Sequence, residues 1–196
     1  MGQAGAGRSE RKLNAMDHPP NLTTARLILR PFTLEDAPSV AALAGDRLVA
    51  ETTQNIPHPY AHEDALAWIG CQSDRFEEGV EVVFAVERRQ DNVLLGAIGL
   101  VLKPEHGAGE LGYWIGVPFW GNGYCTEAAN AVLEYGFQEM ALHRIMARHF
   151  AKNPASGRVM QKIGMSFEGC LRQSVLKWDE YQDVCIYAIL HTDRED

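Results

Sequence analysis

The sequence predicts a single domain of mixed α/β class, and three observations predict it. Apolar residues recur with period two in some segments and at spacings of three and four in others. The resulting order is strand, two helices, three strands, helix, strand, helix and two strands, which gives about seven strands and about four helices. The chain has 196 residues with 46% hydrophobic and 22% charged content, enough for one well-filled core.

Residues 1–22 are rich in Gly, Ala and charge, carry Pro19-Pro20 near their end and lack the apolar centre of a signal peptide. They are expected to be a disordered leader before a domain over 23–191 and a flexible tail over 192–196. Met1 and Met16 both stand as candidate starts. Thr24 to Arg30 reads as the first strand, with Leu27 and Leu29 against Arg26, Ile28 and Arg30. Thr33 with Asp36 three residues on resembles a capping box ahead of a helix with Ala37, Val40, Ala41 and Ala44 on one face. Residues 45–62 read as a long loop, either a lid or a plain connector, stiffened by Pro57 and Pro59. A second helix runs from Glu63 through Ala65, Trp68, Ile69, Gln72 and Phe76 and stops at Gly79.

Strands are expected at Val80–Arg88, Val93–Lys103 and Glu110–Val117, joined by turns at Asp91-Asn92 and at Glu105 to Gly109. Pro118 ends the third of them, because proline cannot donate to a sheet ladder. Gly121 and Gly123 free the backbone for positive φ. Ala129, Val132, Leu133, Gly136, Phe137 and Met140 then mark one face of a long helix. His143–Phe150 is a further strand, Asn153–Ile163 a short helix capped by Gly164, and Phe167–Lys177 with Tyr181–Leu190 a closing hairpin.

Net charge is −8, which argues against nucleic acid as the main partner and favours cationic substrates. No apolar run reaches transmembrane length, so no membrane role and a cytoplasmic setting are expected. Cys71, Cys125, Cys170 and Cys185 lack zinc spacing and are expected as reduced thiols. His58, His62, His106, His143 and His149 form no H-x-x-x-H or H-E-x-x-H pattern, so no metal is expected. A glycine turn feeding a helix N-terminus can hold a phosphate on unpaired N–H groups. The dinucleotide fingerprint and the Walker lysine are both missing, which disfavours a nucleotide-binding regulator.

The run Trp120-Gly121-Asn122-Gly123-Tyr124-Cys125-Thr126-Glu127-Ala128 resembles the acyl-CoA pyrophosphate loop of the GNAT N-acetyltransferase superfamily. The common form there is Arg or Gln, two residues, Gly, any residue, then Gly or Ala. Gly123 matches the central glycine, Trp120 replaces Arg or Gln, and Cys125 replaces the small final residue. The Trp-Gly-x-Gly-Tyr form is similar to that of the ribosomal-protein N-terminal alanine/serine acetyltransferase branch. Arg26 to Pro31, Asn55 to Ile69, Asn153-Pro154-Ala155-Ser156 and Lys162-Ile163-Gly164-Met165 resemble further stretches of that branch, with Met165 in place of its usual Phe.

The resemblance implies a strongly twisted mixed sheet splayed between the fourth and fifth strands. It implies acetyl-CoA as co-substrate and a primary amine as acceptor, a protein N-terminus ahead of a small amine or antibiotic. A non-catalytic acyl-CoA sensor is the alternative of another class, and the state is monomer or homodimer. The pantetheine arm would lie along Ile115, Gly116 and Val117, with a bulge at Gly112 or Gly116, and the phosphates at 120–126. Asn153 would fix the adjacent strand and the arm. Many relatives carry a proton-donating Tyr at the place of Met160, so Ser156 becomes the candidate acid and Glu110 the candidate base, relayed through water. The plain alternatives are an N-cap for Asn153, a first-turn polar residue for Ser156 and a surface ion pair for Glu110. Tyr60, Trp178 and Tyr181 would border the acceptor groove or serve as turn-packing aromatics.

Overall fold

The structure is a computed structural model that describes residues 18–194. Eight strands form one sheet in the order β1-β2-β3-β4-β5-β6-β8-β7. They are β1 (Leu22–Thr23), β2 (Leu27–Arg30), β3 (Glu81–Arg88), β4 (Val93–Lys103), β5 (Ala108–Ile115), β6 (Arg144–Phe150), β7 (Ser166–Lys177) and β8 (Glu180–Leu190). Every neighbouring pair is antiparallel except β5 and β6, which are parallel. A parallel pair needs a crossover long enough to carry the chain back. Helix α5 (Tyr124–Gln138) supplies it here. The other α-helices are α1 (Ala37–Ala44), α2 (Arg47–Ala50), α3 (His62–Gly70), α4 (Gln72–Glu77) and α6 (Pro154–Lys162).

The sheet has a core on each face. Strand alternation sends Leu27, Leu29, Val82, Phe84 and Val86 to the larger one, where Val132, Leu133 and Phe137 of α5 close over them. Ala85 faces the other way, into a smaller core with Val40 and Ala44 of α1, Ala65 and Ile69 of α3, and Trp114. Apolar spacing was therefore a sound guide to these faces.

Several expectations need correction. The strand β1 adds an eighth member to the expected seven; two residues are too short to show alternation. It starts at Leu22, inside the expected leader, whose residues 1–17 lie outside the described residues. The expected tail begins in a 3-10 turn over His191–Arg194. The 45–62 loop contains α2, started by the Asp46 side chain accepting from the Leu48 N–H at 2.8 Å. The expected second helix is two helices, α3 and α4, divided at Cys71. The strand expected to reach Val117 ends at Ile115, because Pro118 sits in a 3-10 turn over Val117–Phe119. The pairing of β4 with β5 runs without a register shift from Ala108 to Ile115, so neither Gly112 nor Gly116 forms a bulge.

The turn before α1 is held by one carboxylate. Asp36 accepts from the Thr33 N–H at 2.9 Å and from both terminal nitrogens of Arg30 at 2.8 Å. Arg30 also donates to Glu87 on β3 at 2.7 Å, so the cluster ties α1 to β2 and β3. Burial pushes the Asp36 carboxyl up, but the Arg30 and Thr33 hydrogen bonds outweigh it and hold it below its ordinary value. A depressed folded value means stability that is present above the unfolded value of about 3.9 and lost as pH falls through the folded one. Asp36→Ala leaves those donors unsatisfied and should cost about 1–3 kcal/mol in urea unfolding at pH 7. Below pH ~4 the wild-type melting temperature should fall more steeply than that of Asp36→Asn.

Candidate active site

The parallel pairing of β5 and β6 covers only Ala108 to Leu111 against Arg144 to Ala147. Beyond Leu111 the strands part. This is the splay expected between the fourth and fifth of the seven strands read from the sequence. A cavity of about 910 Å³ opens there. Its walls come from the 48–60 segment, the far halves of β5 and β6, the 119–126 loop and the start of α6.

The loop that feeds α5 is preset by its backbone. Gly121 and Gly123 have φ of 77° and 78°, in the left-handed region that side chains avoid. Gly123 is the N-cap and has no side chain to offer, so no side-chain acceptor caps the first turn of α5. The helix dipole adds partial positive charge at the same place. Around the loop, Trp120 donates from Nε1 to the Ile115 carbonyl at 2.6 Å. Asn122 donates to the Phe119 and Trp120 carbonyls, both at 3.1 Å. Glu127 fixes the helix start to the turn between β1 and β2. It accepts from Thr24 Oγ1 at 2.6 Å, the Arg26 N–H at 2.8 Å and Arg26 Nε at 2.6 Å. Arg26 in turn lies 4.7 Å from the centre of the Tyr124 ring and donates to the Asn122 carbonyl at 3.0 Å.

At the splay, Glu110 pairs with Arg148 across the parallel strands. Arg148 donates to its two oxygens at 2.5 and 3.2 Å. On the other side of β5, the Tyr113 hydroxyl lies within hydrogen-bond distance of two Ser156 atoms, Oγ at 2.8 Å and the carbonyl oxygen at 3.2 Å. Asn153 is the N-cap of α6, accepting from the Ser156 N–H at 3.4 Å. Burial pushes the Tyr113 phenol well above its ordinary value and the Cys125 thiol up to about 12, so both hold their protons.

Charge is not spread evenly around the cavity. Glu51, Asp64, Glu81 and Glu110 bring carboxylates from the 51–64 segment, β3 and β5. Arg148, Arg158 and Lys162 bring cations from β6 and α6. Lys177, at the end of β7, ties down the 54–56 part of the wall. Its Nζ donates to the Ile56 carbonyl at 2.7 Å and the Gln54 carbonyl at 3.4 Å, and burial lowers its pKa.

The structure brings most of the expected site residues together. Glu110, Ile115, Trp120, Gly121, Gly123, Tyr124, Cys125, Thr126, Asn153, Ser156 and Tyr60 all line the cavity. Gly116, Val117 and Asn122 lie in the adjoining turn but are not part of its wall. Trp178 and Tyr181 stand outside it, 41% and 65% exposed. Trp178 sits in the β7–β8 turn with φ of 52° and packs near His58 and Arg47. Residue spacing missed Tyr113, Arg26, Glu127 and Arg148. Only Tyr113 had left a signal, because it alternates with Leu111 and Ile115 on one face of β5. Among the described residues, no three His, Cys, Asp or Glu side chains gather as a metal site needs.

Residues 26–166 match the family model for the GNAT acetyltransferase domain. The chain belongs to the GNAT family. It is 36% identical over 172 residues to an uncharacterised N-acetyltransferase, YnaD, of Bacillus subtilis, covering 87% of this chain and 96% of that one. A ribosomal-protein-serine acetyltransferase of Escherichia coli is 31% identical over 100 residues, 50% of this chain and 56% of that protein. Among solved GNAT structures, Mycobacterium smegmatis RimJ in complex with CoA-disulfide has a TM-score of 0.82 at 20% identity, covering 92% and 91% of the two chains. The protein is thus an N-acetyltransferase of the GNAT family, with a ribosomal-protein-serine acetyltransferase among its relatives.

The Gly123 conformation gives a direct check. A methyl group there would meet nothing nearer than Arg26 at 3.6 Å, so space is not the obstacle. The obstacle is the positive φ, which costs an L-residue about 1–2 kcal/mol. Gly123→Ala should lose about that much in urea unfolding, with an unchanged denaturant slope.

Proposed function

We propose that this enzyme, acting through the unit over residues 23–191, acetylates the α-amine at a protein or peptide N-terminus. The observation that carries the reading is the Glu110–Arg148 ion pair at the splay. That carboxylate already accepts two hydrogen bonds from the guanidinium, which leaves it poorly placed to take an amine proton directly. A weak base is enough for an α-amine, whose pKa of ~7.8 leaves roughly one copy in seven neutral at pH 7. A lysine side chain, neutral in only about one copy in 2,500, asks for more. The ribosomal-protein-serine acetyltransferase among the relatives supports the same reading.

In this reading the 120–126 loop and the first turn of α5 would hold the phosphates of acetyl-CoA. Ile115, Gly116 and Val117 would line its arm, with Asn153 and Ser156 on the far side. The thioester supplies the activated acetyl group. The open edge of β5 beyond Leu111 offers an extended arm the pairing that β6 gives up. Glu110 would take the amine proton through water, and Ser156 would donate one to sulfur. The acceptor would enter between the 50–62 segment and the β7–β8 hairpin, where Glu51 and Asp64 attract a cation.

The test is an acetyl-CoA turnover screen over N-terminal peptides, polyamines and aminoglycosides. The highest kcat/KM should fall to peptides with a free α-amine and vanish when that amine is blocked. Higher kcat/KM for a polyamine or an aminoglycoside would move the reading to a small-amine acceptor. Tyr60→Ala, at the cavity wall, should raise the acceptor KM several-fold while acetyl-CoA affinity stays unchanged, the mark of lost uniform binding. Trp178→Ala, outside that wall, should change the acceptor KM less than Tyr60→Ala does.

A further inference from the structure

Met160 of α6 is 1% exposed in the core, and a thioether has no proton to give. A phenol reaches the cavity from a different element. Tyr113 of β5 presents its hydroxyl 2.8 Å from Ser156 Oγ, and both residues line the cavity.

A serine hydroxyl has one proton to give and two lone pairs to receive on. The single Tyr113 proton has two acceptors in reach, Ser156 Oγ at 2.8 Å and the Ser156 carbonyl at 3.2 Å; given to the nearer one, it fills one lone pair and leaves the serine proton free for another acceptor. The reverse bond, from serine to phenol, would spend that proton inside the pair. The phenol keeps its proton because burial disfavours the phenolate, and the neighbouring Cys125 thiol is held neutral by the same cause. A chain of two hydroxyls in a poorly solvated wall also strengthens each bond in it.

We propose that Tyr113 is a positioning residue for the acetyl-transfer reaction: through its hydroxyl it sets Ser156 as the proton donor to the departing sulfur. The inference rests on the acetyl-transfer reading above and adds a residue to it. The amine lone pair forms the C–N bond. The C–S bond breaks and its electron pair goes to sulfur. The Ser156 proton passes to that sulfur while the Tyr113 O–H stays hydrogen-bonded to Ser156 Oγ. The proton shed by the amine enters water, and water reprotonates Ser156, so charge and protons balance.

Tyr113→Phe removes one oxygen and keeps the ring in the cavity wall. With a peptide acceptor and chemistry shown to be rate-limiting, kcat should fall about 10- to 100-fold, near the low end of general-acid effects because a thiolate leaves readily. Acetyl-CoA affinity by calorimetry and the melting temperature should stay at wild-type values. In the ligand-free crystal structure of the variant, Ser156 should leave its present rotamer. The double variant Tyr113→Phe/Ser156→Ala should be no slower than Ser156→Ala alone, since both act through one hydroxyl. A Tyr113→Phe enzyme at wild-type kcat, or losses that multiply in the double variant, would overturn this inference alone. A wild-type chain that turns over no amine in the screen would overturn the parent reading and this one with it.

Discussion

Four paired residues on each strand decide the shape of this site. β5 and β6 run together from Ala108 to Leu111 and from Arg144 to Ala147, then separate. Backbone donors and acceptors cannot be left buried without partners, so the gap must face solvent or a ligand. Helix α5 starts just past the end of β5 and ends just before β6. The crossover that makes the parallel pair possible therefore also sets a helix N-terminus at the mouth of the gap.

Ion pairing then gives each side of the gap a fixed character. Arg26 and Thr24 hold Glu127, which anchors the α5 start to the segment leading into β2. Arg148 and Glu110 join β6 to β5 at the last point before they part. That pair serves structure as well as chemistry: it bridges the strands at their parting while committing the most central carboxylate to a cation. Of the other carboxylates on the cavity wall, Glu81 of β3 is paired with Arg75, Asp64 stands in the first turn of α3, and Glu51 lies in the segment between α1 and α3. This segment is held by Lys177, whose ammonium is buried against the Gln54 and Ile56 carbonyls. A buried cation needs such partners to offset its lost hydration.

The corrections share a cause with the successes. Period-two and period-3.6 patterns are summed over many residues, so the long elements β3, β4, β7, β8 and α5 stood out clearly. The elements that escaped were short: β1 with two residues and α2 with four. Where Trp178 sits was not legible either: the tight β7–β8 turn, with positive φ at both Trp178 and Asp179, holds it over His58 and Arg47.

The sequence by itself determined the order of the long elements, the apolar faces of the helices and the glycine turn into a long helix. These are local properties, written in spacing and in residues such as Gly123 and Pro118 whose backbone limits hold in any context. Only the tertiary structure decided which side chains meet. Glu110 with Arg148, Tyr113 with Ser156 and Lys177 with Ile56 are separated by 38, 43 and 121 residues. Each pairing depends on strand register and on where the chain returns, and a one-residue slip in β5 would turn Tyr113 away from Ser156 and onto the face of Glu110.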